Sequence, residues 1–335
     1  MILVTGGTGL VGAHLLFQLS QKEEKIRALR RSLSSVDQTR KIFSYYTPQP
    51  EKFFSKIEWV EGDILDIDTL LSAMGNVEKV YHTAAKVSFD PKDKTEIMET
   101  NVTGTVNVVN ACLEKKVKKL CYVSSIAAVG RAGAEGITTE ETEWKSGQKI
   151  SQYAISKYEA EREVWRGIAE GLNAVIVNPT IILGAGNFNA GSSKMFQTVY
   201  HGLKVYTKGM NGYVDVNDVA KAMILLMESN ISGERFILNS EDMSYKIFFE
   251  IMAFSLGVKP PKYKAGKVAS ELTWRLLKFS SRLTGKRPLI TRDTARTANS
   301  VYRYSSNKFT EVTGMRFSPV AESIKRTADI FLKGK

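Results

Sequence analysis

The sequence is poor in the residues that build disulfide frameworks and metal centres. Its 335 residues include only two cysteines and three histidines, and the histidines (His14, His82 and His201) are far apart in the chain. Two cysteines cannot form a disulfide scaffold, and no Cys/His cluster has the spacing of a zinc site. We therefore expect neither a disulfide-rich domain nor a bound metal.

Long apolar runs are also missing from the sequence. No uninterrupted stretch reaches the roughly 18 residues that a membrane-spanning helix needs. No basic segment precedes the apolar residues at the N-terminus, as it would in a secretory signal. The composition, 43% hydrophobic and 24% charged, is that of an ordinary globular chain. We expect a cytoplasmic protein.

Acidic residues are fewer than basic residues in this chain. The chain has 47 Lys and Arg against 35 Asp and Glu, a formal net charge of +12. This excess is compatible with nucleic acid, an anionic membrane surface or anionic ligands. Nucleic acid is disfavoured because no module interleaves aromatic and basic residues. The basic stretch near 272–283 has the pattern of an interfacial helix, but packing against its own domain is favoured. A solvated lysine-rich surface is the simplest interpretation.

Short apolar runs alternate with helical patterns through the first half of the chain. This alternation predicts an α/β fold of the Rossmann type, in which helices cover both faces of a doubly wound parallel sheet. A chain longer than roughly 250–300 residues tends to form a second core. We predict a dinucleotide-binding domain over 1–183 and a smaller, mostly helical substrate lobe over 184–335, with 213–240 returning to the main domain.

A glycine-rich turn follows the first predicted strand and opens the first helix. The segment TGGTGLVG satisfies G-x-G-x-x-G through Gly7, Gly9 and Gly12, and G-x-x-G-x-x-G through Gly6, Gly9 and Gly12. Glycines here permit a tight turn, close approach of the backbone to a pyrophosphate, and close packing of helix on strand. The helix N-terminus then offers free N–H groups to the phosphates. The position of the motif favours a dinucleotide site over a plain turn.

The end of the second strand bears on which dinucleotide binds. NAD sites place an acidic residue about 20 residues after the glycines to bind the ribose 2′-hydroxyl. This chain has Arg30 and Arg31 there, and its first carboxylate after them is Asp37. A guanidinium matches the geometry of a 2′-phosphate. The sequence therefore favours NADP(H) over NAD(H), the alternative being two solvated arginines.

Tyr153 and Lys157 are spaced to share one face of a helix. A nearby ammonium stabilises phenolate and lowers the pKa of a tyrosine, so that the phenol can exchange a proton near neutral pH. Upstream, Ser124 and Ser125 follow the fifth strand, at the edge where ligands of such sheets bind. A serine there can hold the oxygen of a substrate carbonyl.

Together these motifs resemble the extended short-chain dehydrogenase/reductase family, and the resemblance covers most of the chain. Further segments match the family's pattern in the same order: GDI at 62–64, HTAA at 82–85, NVTGTVN at 101–107, NP at 178–179 and YVDVNDV at 213–219. The resemblance implies that the cofactor contacts Gly6, Thr8, Gly9, Leu10, Val11, Gly12, Arg30, Arg31, Asp63, Ile64, Thr83, Ala84, Ala85, Tyr153, Lys157, Pro179 and Ile182.

The resemblance also implies catalytic roles. Tyr153 would be the general acid for carbonyl reduction, and Lys157 would bind the nicotinamide ribose and lower the pKa of Tyr153. Ser125 would orient the carbonyl oxygen; it is preferred to Ser124 because Gly130 closes the segment at the family's usual distance. Asn101 would hold a supporting water or backbone group. A homodimer is a further expectation at the level of the family.

Within this family the fold does not decide the reaction. The segment SSIAAVG, the segment NPTIILG and the later RPLIT resemble the branch of dihydroflavonol reductases and 3β-hydroxysteroid dehydrogenases. We expect an NADPH-dependent reduction of an aldehyde, ketone or dihydroflavonol-like carbonyl. The alternatives are a nucleotide-sugar epimerase with tightly bound NAD and a non-catalytic NADP(H)-binding redox sensor. Two departures from the family pattern, Ala185 in place of a proline and the insertion-like stretch 32–56, bear on the substrate.

Overall fold

A computed structural model describes residues 1–22, 25–32, 35–133, 136–145, 150–266, 274–275 and 292–335. The strands in chain order are β1 (Ile2–Thr5), β2 (Ile26–Arg30), β3 (Ile57–Glu61), β4 (Lys79–His82), β5 (Lys119–Val123), β6 (Ala174–Pro179), β7 (Ile181–Leu183), β8 (Val205–Tyr206), β9 (Met210–Asp215), β10 (Glu234–Leu238), β11 (Glu241–Ser244) and β12 (Tyr263–Lys264).

The described helices are α1 (Leu10–Ser20), α2 (Asp37–Ser44), α3 (Pro50–Phe54), α4 (Ile67–Ala73), α5 (Lys94–Met98), α6 (Gly104–Glu114), α7 (Gln152–Ala169), α8 (Lys194–Tyr200), α9 (Val216–Glu228), α10 (Tyr245–Ser255), α11 (Arg292–Thr297), α12 (Asn307–Thr313) and α13 (Val320–Lys333). Short 3₁₀ turns lie at Pro91–Asp93 and Ile126–Ala128, and a π-helical turn at Glu99–Thr103 leads directly into α6.

The main sheet has seven strands in the order β10-β6-β5-β4-β1-β2-β3, and every pair in it is parallel. Successive side chains of a strand point to opposite faces of the sheet, and helices cover both of these faces. Ile2 and Val4 belong to one core cluster, and Leu3 between them belongs to the other. The first cluster includes residues of α1 and α9, and the second includes residues of α4, α6 and α7. The predicted fold class is confirmed.

The chain winds outward from β1 in both directions, to β2 and β3 on one side and to β4, β5 and β6 on the other. Such a reversal of strand order opens a crevice at the carboxyl ends of the strands, where ligands of doubly wound sheets bind. The glycine turn follows β1 at this edge, and Ser124 and Ser125 follow β5. The fold thus gathers the predicted site segments on one side of the molecule.

The C-terminal part builds a third core around a small sheet, in the order β11-β9-β7. Residues of α8, α10 and α13 pack there, with Phe196, Phe248 and Phe331 among the buried side chains. The sequence pattern of the C-terminal part did not predict the strands β7, β9 and β11, since these short strands alternate only weakly between apolar and polar residues. β10 lies in the main sheet beside β6. The division at 183/184 stays a prediction.

Other predictions concern membrane helices, metal ligands, the basic stretch and the insertion-like stretch. Within the described ranges, no helix is long and apolar enough to cross a bilayer. The same part of the chain contains no group of three or more His, Cys, Asp or Glu side chains arranged to hold a metal ion. The basic stretch near 272–283 lies almost wholly outside the described residues, so its predicted helix is not tested. The insertion-like stretch 32–56 contains α2 and α3, which pack on α1.

Candidate active site

The glycine turn between β1 and α1 leaves no room for side chains at two positions. Gly6 has a φ of +73°, a conformation that glycine adopts without strain, and a Cβ there would lie 2.5 Å from the backbone nitrogen of Ala84. A Cβ on Gly12 would lie 2.2 Å from the carbonyl oxygen of Gly6. Gly9 is exposed, and its Cβ would meet that same oxygen at 3.3 Å. Packing therefore requires Gly6 and Gly12, whereas a Cβ on the exposed Gly9 would make one tight contact that a shift of a few tenths of an ångström relieves.

The N-terminus of α1 has the features of an anion site. Its N-cap residue, Gly9, has no side chain to satisfy the first N–H groups, and no acidic residue lies in the first turn. Thr8, Leu10 and Val11 are each partly exposed around it. Unsatisfied N–H groups and the helix dipole favour a phosphate at such a place. The glycine turn thus fits the pyrophosphate of a dinucleotide.

The two arginines lie at the carboxyl end of β2, the neighbour of β1. Arg30 is half-buried, and its Nη1 donates to the carbonyl oxygen of Ser32 over a long 3.4 Å. Arg31 is exposed. Both guanidinium groups are therefore accessible beside the strand end where the ribose of a dinucleotide is expected.

The segment after β4 lies against the glycine turn, and the segment after β3 packs on α6. Thr83 donates its hydroxyl to the carbonyl oxygen of Thr5 over 2.7 Å, which fixes Ala84 beside Gly6, and Ala85 is exposed. Asp63 uses its carboxylate to accept the backbone N–H of Leu65 at 3.0 Å. The side chain of Ile64 is buried against α6, where a Cβ on Gly104 would lie 2.5 Å from its Cδ1. Only the backbone of Ile64 is thus suited to a cofactor contact.

The loop after β7 covers the start of α1. A Cβ on Gly186 would lie 2.8 Å from Cδ1 of Leu10, so the loop lies directly against the glycine turn. His14 of α1 donates from Nε2 to the carbonyl oxygen of Ala185 at 3.0 Å, and burial lowers the pKa of His14 to about 4. This neutral histidine binds the loop at Ala185, the position where the family pattern has a proline. Two residues predicted near the nicotinamide, Pro179 and Ile182, lie at the end of β6 and in β7.

Helix α7 presents Tyr153 in its first turn. Ser151 caps the helix, because its hydroxyl accepts the N–H of Ala154 at 3.1 Å. Tyr153 is half-buried, and its phenol lies near the hydroxyl of Ser125, which acts to lower the pKa of Tyr153. The ring of Phe89 packs edge-on against Tyr153, with centroids 5.5 Å apart. The structure therefore brings together Tyr153 and Ser125, the serine that the sequence preferred to Ser124.

Lys157 lies one turn further along α7 and is almost fully buried. Its ammonium donates to the hydroxyl of Tyr122 at 2.8 Å and to the carbonyl oxygen of Val123 at 2.9 Å. Burial lowers the pKa of Lys157 from 10.5 to about 7, and the charge of Glu161 opposes that shift. A buried amine with such a pKa is typical of functional sites.

The pKa of Tyr153 corrects one expectation. Loss of water contact raises the pKa of Tyr153, and the nearby Ser125 hydroxyl works in the opposite direction. The Tyr-x-x-x-Lys pattern predicted a lowered pKa. Burial is the reason for the difference, and the hydrogen bonds of the Lys157 ammonium go to Tyr122 and Val123 on β5.

Asn101 binds the backbone of the segment after β4 and one hydroxyl of α7. It lies in the π-helical turn before α6 and accepts the N–H of Lys86 at 2.7 Å while donating to the carbonyl oxygen of Lys86 at 3.0 Å. Its amide also donates to the Ser156 hydroxyl at 2.9 Å. Asn101 therefore ties the segment after β4 to the helix of Tyr153.

Sequence reasoning missed a buried carboxylate next to this group. The side chain of Glu161 is 3% exposed and accepts the Ser124 hydroxyl at 2.6 Å, the Asn178 amide at 2.7 Å and Arg235 Nη1 at 3.1 Å. Its position four residues after Lys157 was a usable signal, since that spacing places both on one helix face.

Three aromatic residues that are candidates for lining a substrate site lie in different places. Phe196 is fully buried in the C-terminal core and is excluded as a lining residue of an open pocket. Phe188 lines a cavity of about 560 Å³ between α2, the loop after β7 and α13. The described lining of this cavity includes Lys41 and Gln197 but neither Tyr153 nor Ser125. Of these aromatic candidates, Phe89 is the one in contact with Tyr153.

A doubly wound parallel sheet with a glycine turn at its switch point, and a tyrosine and a lysine on one helix at the same edge, defines an NAD(P)-dependent oxidoreductase of the extended short-chain dehydrogenase/reductase type. Comparison with known proteins agrees with this class. The model of the NAD dependent epimerase/dehydratase family matches residues 2–238. The chain belongs to that family.

Individual relatives are named as reductases. The chain is 30% identical over 267 residues to a putative dihydroflavonol 4-reductase of Synechocystis, covering 77% of this chain and 73% of that protein. It is 25% identical over 337 residues to cinnamoyl-CoA reductase 1 of Petunia hybrida, covering 98% and 90%. The crystal structure of gox2253 superposes with a TM-score of 0.83 at 29% identity, covering 100% of this chain and 98% of the other. The predicted family and enzyme class are confirmed.

Proposed function

We propose that the protein reduces a carbonyl group to an alcohol with NADPH, with Tyr153 as the general acid. The observation that carries the proposal is the proximity of the Tyr153 and Ser125 hydroxyl groups at the carboxyl edge of the sheet, one helical turn from the buried Lys157. Two hydroxyl groups that meet in this way can both bind the oxygen of one substrate carbonyl.

The cofactor would be held by the glycine turn, the segments after β3 and β4, and the end of β6. When bound, reduced nicotinamide supplies the hydride. The accessible guanidinium groups of Arg30 and Arg31 support a 2′-phosphate, and hence NADPH, because planar donors pair with phosphate oxygens. An acidic residue that would bind the 2′-hydroxyl of NAD is not found at this strand end.

Residues of this chain supply the proton that the carbonyl oxygen receives. Ser125 orients the carbonyl oxygen, and Tyr153 donates its phenolic proton to that oxygen as negative charge develops there. An ammonium has three N–H donors, and Tyr122 and Val123 account for two on Lys157. We propose that the third faces the ribose, where the positive charge also stabilises the phenolate that Tyr153 leaves behind.

The substrate class proposed is a carbonyl compound with an aromatic part. The exposed edge beside Tyr153 includes Phe89, whose ring is partly exposed, and aromatic rings stabilise one another in edge-on or offset contact. Two relatives are named for dihydroflavonols and for cinnamoyl-CoA. A panel of aromatic aldehydes, ketones and dihydroflavonols therefore tests the proposal.

The test compares the wild type with Tyr153→Phe and with Tyr158→Phe as the matched control. Tyr158 lies on the same helix and stacks on Trp144. NADPH consumption should fall by about 10²–10⁴-fold in Tyr153→Phe, with NADPH binding retained, and stay near the wild-type rate in Tyr158→Phe. Undiminished activity in Tyr153→Phe would remove the tyrosine from its acid role. Purification with retained NAD and no net cofactor consumption would indicate an epimerase. NADPH binding without turnover would indicate a redox sensor.

A further inference from the structure

Glu161 connects three strand ends behind the proposed reaction centre. One carboxylate oxygen accepts the Ser124 hydroxyl from β5 and the Asn178 amide from β6. The other accepts Arg235 Nη1 from β10, at 3.1 Å. A carboxylate with 3% exposure is costly to bury unless it is paired and hydrogen-bonded, and here it is both.

This arrangement acts on Ser125 through its neighbours. The hydroxyl of Ser124, the residue before Ser125, is bound at 2.6 Å, a length typical of a charge-assisted bond. The Asn178 amide that donates to Glu161 also donates to the carbonyl oxygen of Ser125 at 3.1 Å. Both flanks of the Ser125 backbone are thus fixed by groups that Glu161 holds.

The same carboxylate is the counter-charge of Lys157. The groups that face the ammonium from other elements are Tyr122 on β5 and His82 on β4, and Tyr153 lies on its own helix. Burial lowers the pKa of His82 to about 3, so this imidazole is neutral, and burial raises the pKa of Tyr122. Glu161 therefore supplies the negative charge on the same helix face, one turn away.

Arg235 opposes that effect. Its side chain is 22% exposed, and its Nε donates to the carbonyl oxygen of Glu140 at 3.0 Å. A positive charge on the far side of Glu161 partly neutralises the field that the carboxylate exerts on Lys157. We therefore expect the two members of this ion pair to shift the pKa of Lys157 in opposite directions.

We propose that Glu161 is a positioning residue that keeps Lys157 protonated in a dry environment and holds the Ser124–Ser125 segment at the reaction edge. The inference rests on the proposed carbonyl reduction for its kinetic consequence, but the charge of Lys157 can be measured without any substrate.

The first readout is the pH dependence of kcat/KM for NADPH-dependent reduction. Glu161→Gln should lower, by about one unit, the pH at which kcat/KM declines on the alkaline side. The reason is that the charged form of Lys157 becomes about tenfold less abundant at a given pH. Arg235→Gln should raise the pH of this alkaline decline. Glu163→Gln is the matched control, since Glu163 lies on the same helix and pairs with Arg166 at 2.8 Å; its profile should match that of the wild type. A merely structural role would lower activity in both variants without shifts of opposite sign.

The second readout is the pKa of Lys157 itself, followed by the ¹³Cε resonance of lysine-labelled protein and assigned by its loss in Lys157→Met. The pKa should fall in Glu161→Gln and rise in Arg235→Gln. An unchanged pKa in folded Glu161→Gln overturns the inference, whether or not carbonyl reduction is found. If Glu161→Gln does not fold, Arg235→Gln decides: an upward shift supports the inference and no shift overturns it. Absent reduction with the expected shifts would contradict the proposed function alone.

Discussion

Replacing Lys157 by methionine should make the protein more stable at low pH while removing its activity. The folded chain holds this ammonium with a pKa of about 7 instead of 10.5. Such a shift corresponds to about 5 kcal/mol against the charged folded state below pH 7. The hydrogen bonds to Tyr122 and Val123 return about 2 to 3 kcal/mol of this cost. Lys157→Met should therefore gain about 2 kcal/mol at about pH 6.

The sign of this effect changes with pH. Because the folded pKa of Lys157 lies below the unfolded value, the unfolded chain binds more protons between the two, and the wild-type free energy of unfolding rises with pH there. Lys157 contributes about 3 kcal/mol of that rise between about pH 6 and about pH 9.5. The methionine variant lacks it. At the upper pH the variant should be less stable by about 1 kcal/mol, since the lost hydrogen bonds then outweigh the remaining charge penalty.

Urea unfolding followed by tryptophan fluorescence over this pH range measures the effect as a difference between the two proteins, so that other titrating groups cancel. Lys221→Met, at an exposed position of α9, is the control and should show no such slope. A difference between wild type and Lys157→Met that stays constant with pH would show that Lys157 does not lose its proton in this range. The desolvation reasoning would then fail.

Two further predictions concern the cofactor. Replacing Arg30 and Arg31 together by alanine should raise the KM for NADPH about tenfold or more and leave the KM for NADH unchanged, because the charge-assisted contacts involve the 2′-phosphate alone; an equal rise for both cofactors would contradict the assignment. Gly12→Ala should lower the midpoint of thermal unfolding, since its Cβ would meet the Gly6 carbonyl oxygen at 2.2 Å, whereas Gly9→Ala should keep the midpoint and weaken cofactor binding measured by calorimetry. A Gly12→Ala protein as stable as the wild type would show that the turn can relax.

Local chain geometry explains why much of the site could be predicted. The glycine turn is specified by residues 6–12, and the shared helix face of Tyr153 and Lys157 follows from their spacing of four. Parallel strands end at one edge, so the Ser124–Ser125 segment was predicted at the ligand-binding edge, and the family resemblance selected Ser125 as the catalytic serine. The strands of the main sheet were likewise predictable, since each is a short run rich in apolar residues, and β1, β5 and β6 are buried along their whole length.

Other features depended on distant parts of the chain. The short strands β7, β9 and β11 are stabilised mainly by each other and by helices α8, α10 and α13, so their own sequences were weak signals. The direction of the Lys157 ammonium depended on the position of β5, and burial, which depends on packing, raised the pKa of Tyr153 against the expected direction.

The sequence by itself determined the dinucleotide-type fold, the glycine turn and the residues that meet at the sheet edge, because each follows from contacts between neighbours in the chain. Only the tertiary structure decided the electrostatics of that edge. Glu161, Asn178 and Arg235 come from one helix and two strands, and their mutual hydrogen bonds exist only once β5, β6 and β10 lie near α7. Burial and counter-charge, which set the protonation of Lys157, are properties of the packed molecule and not of any segment.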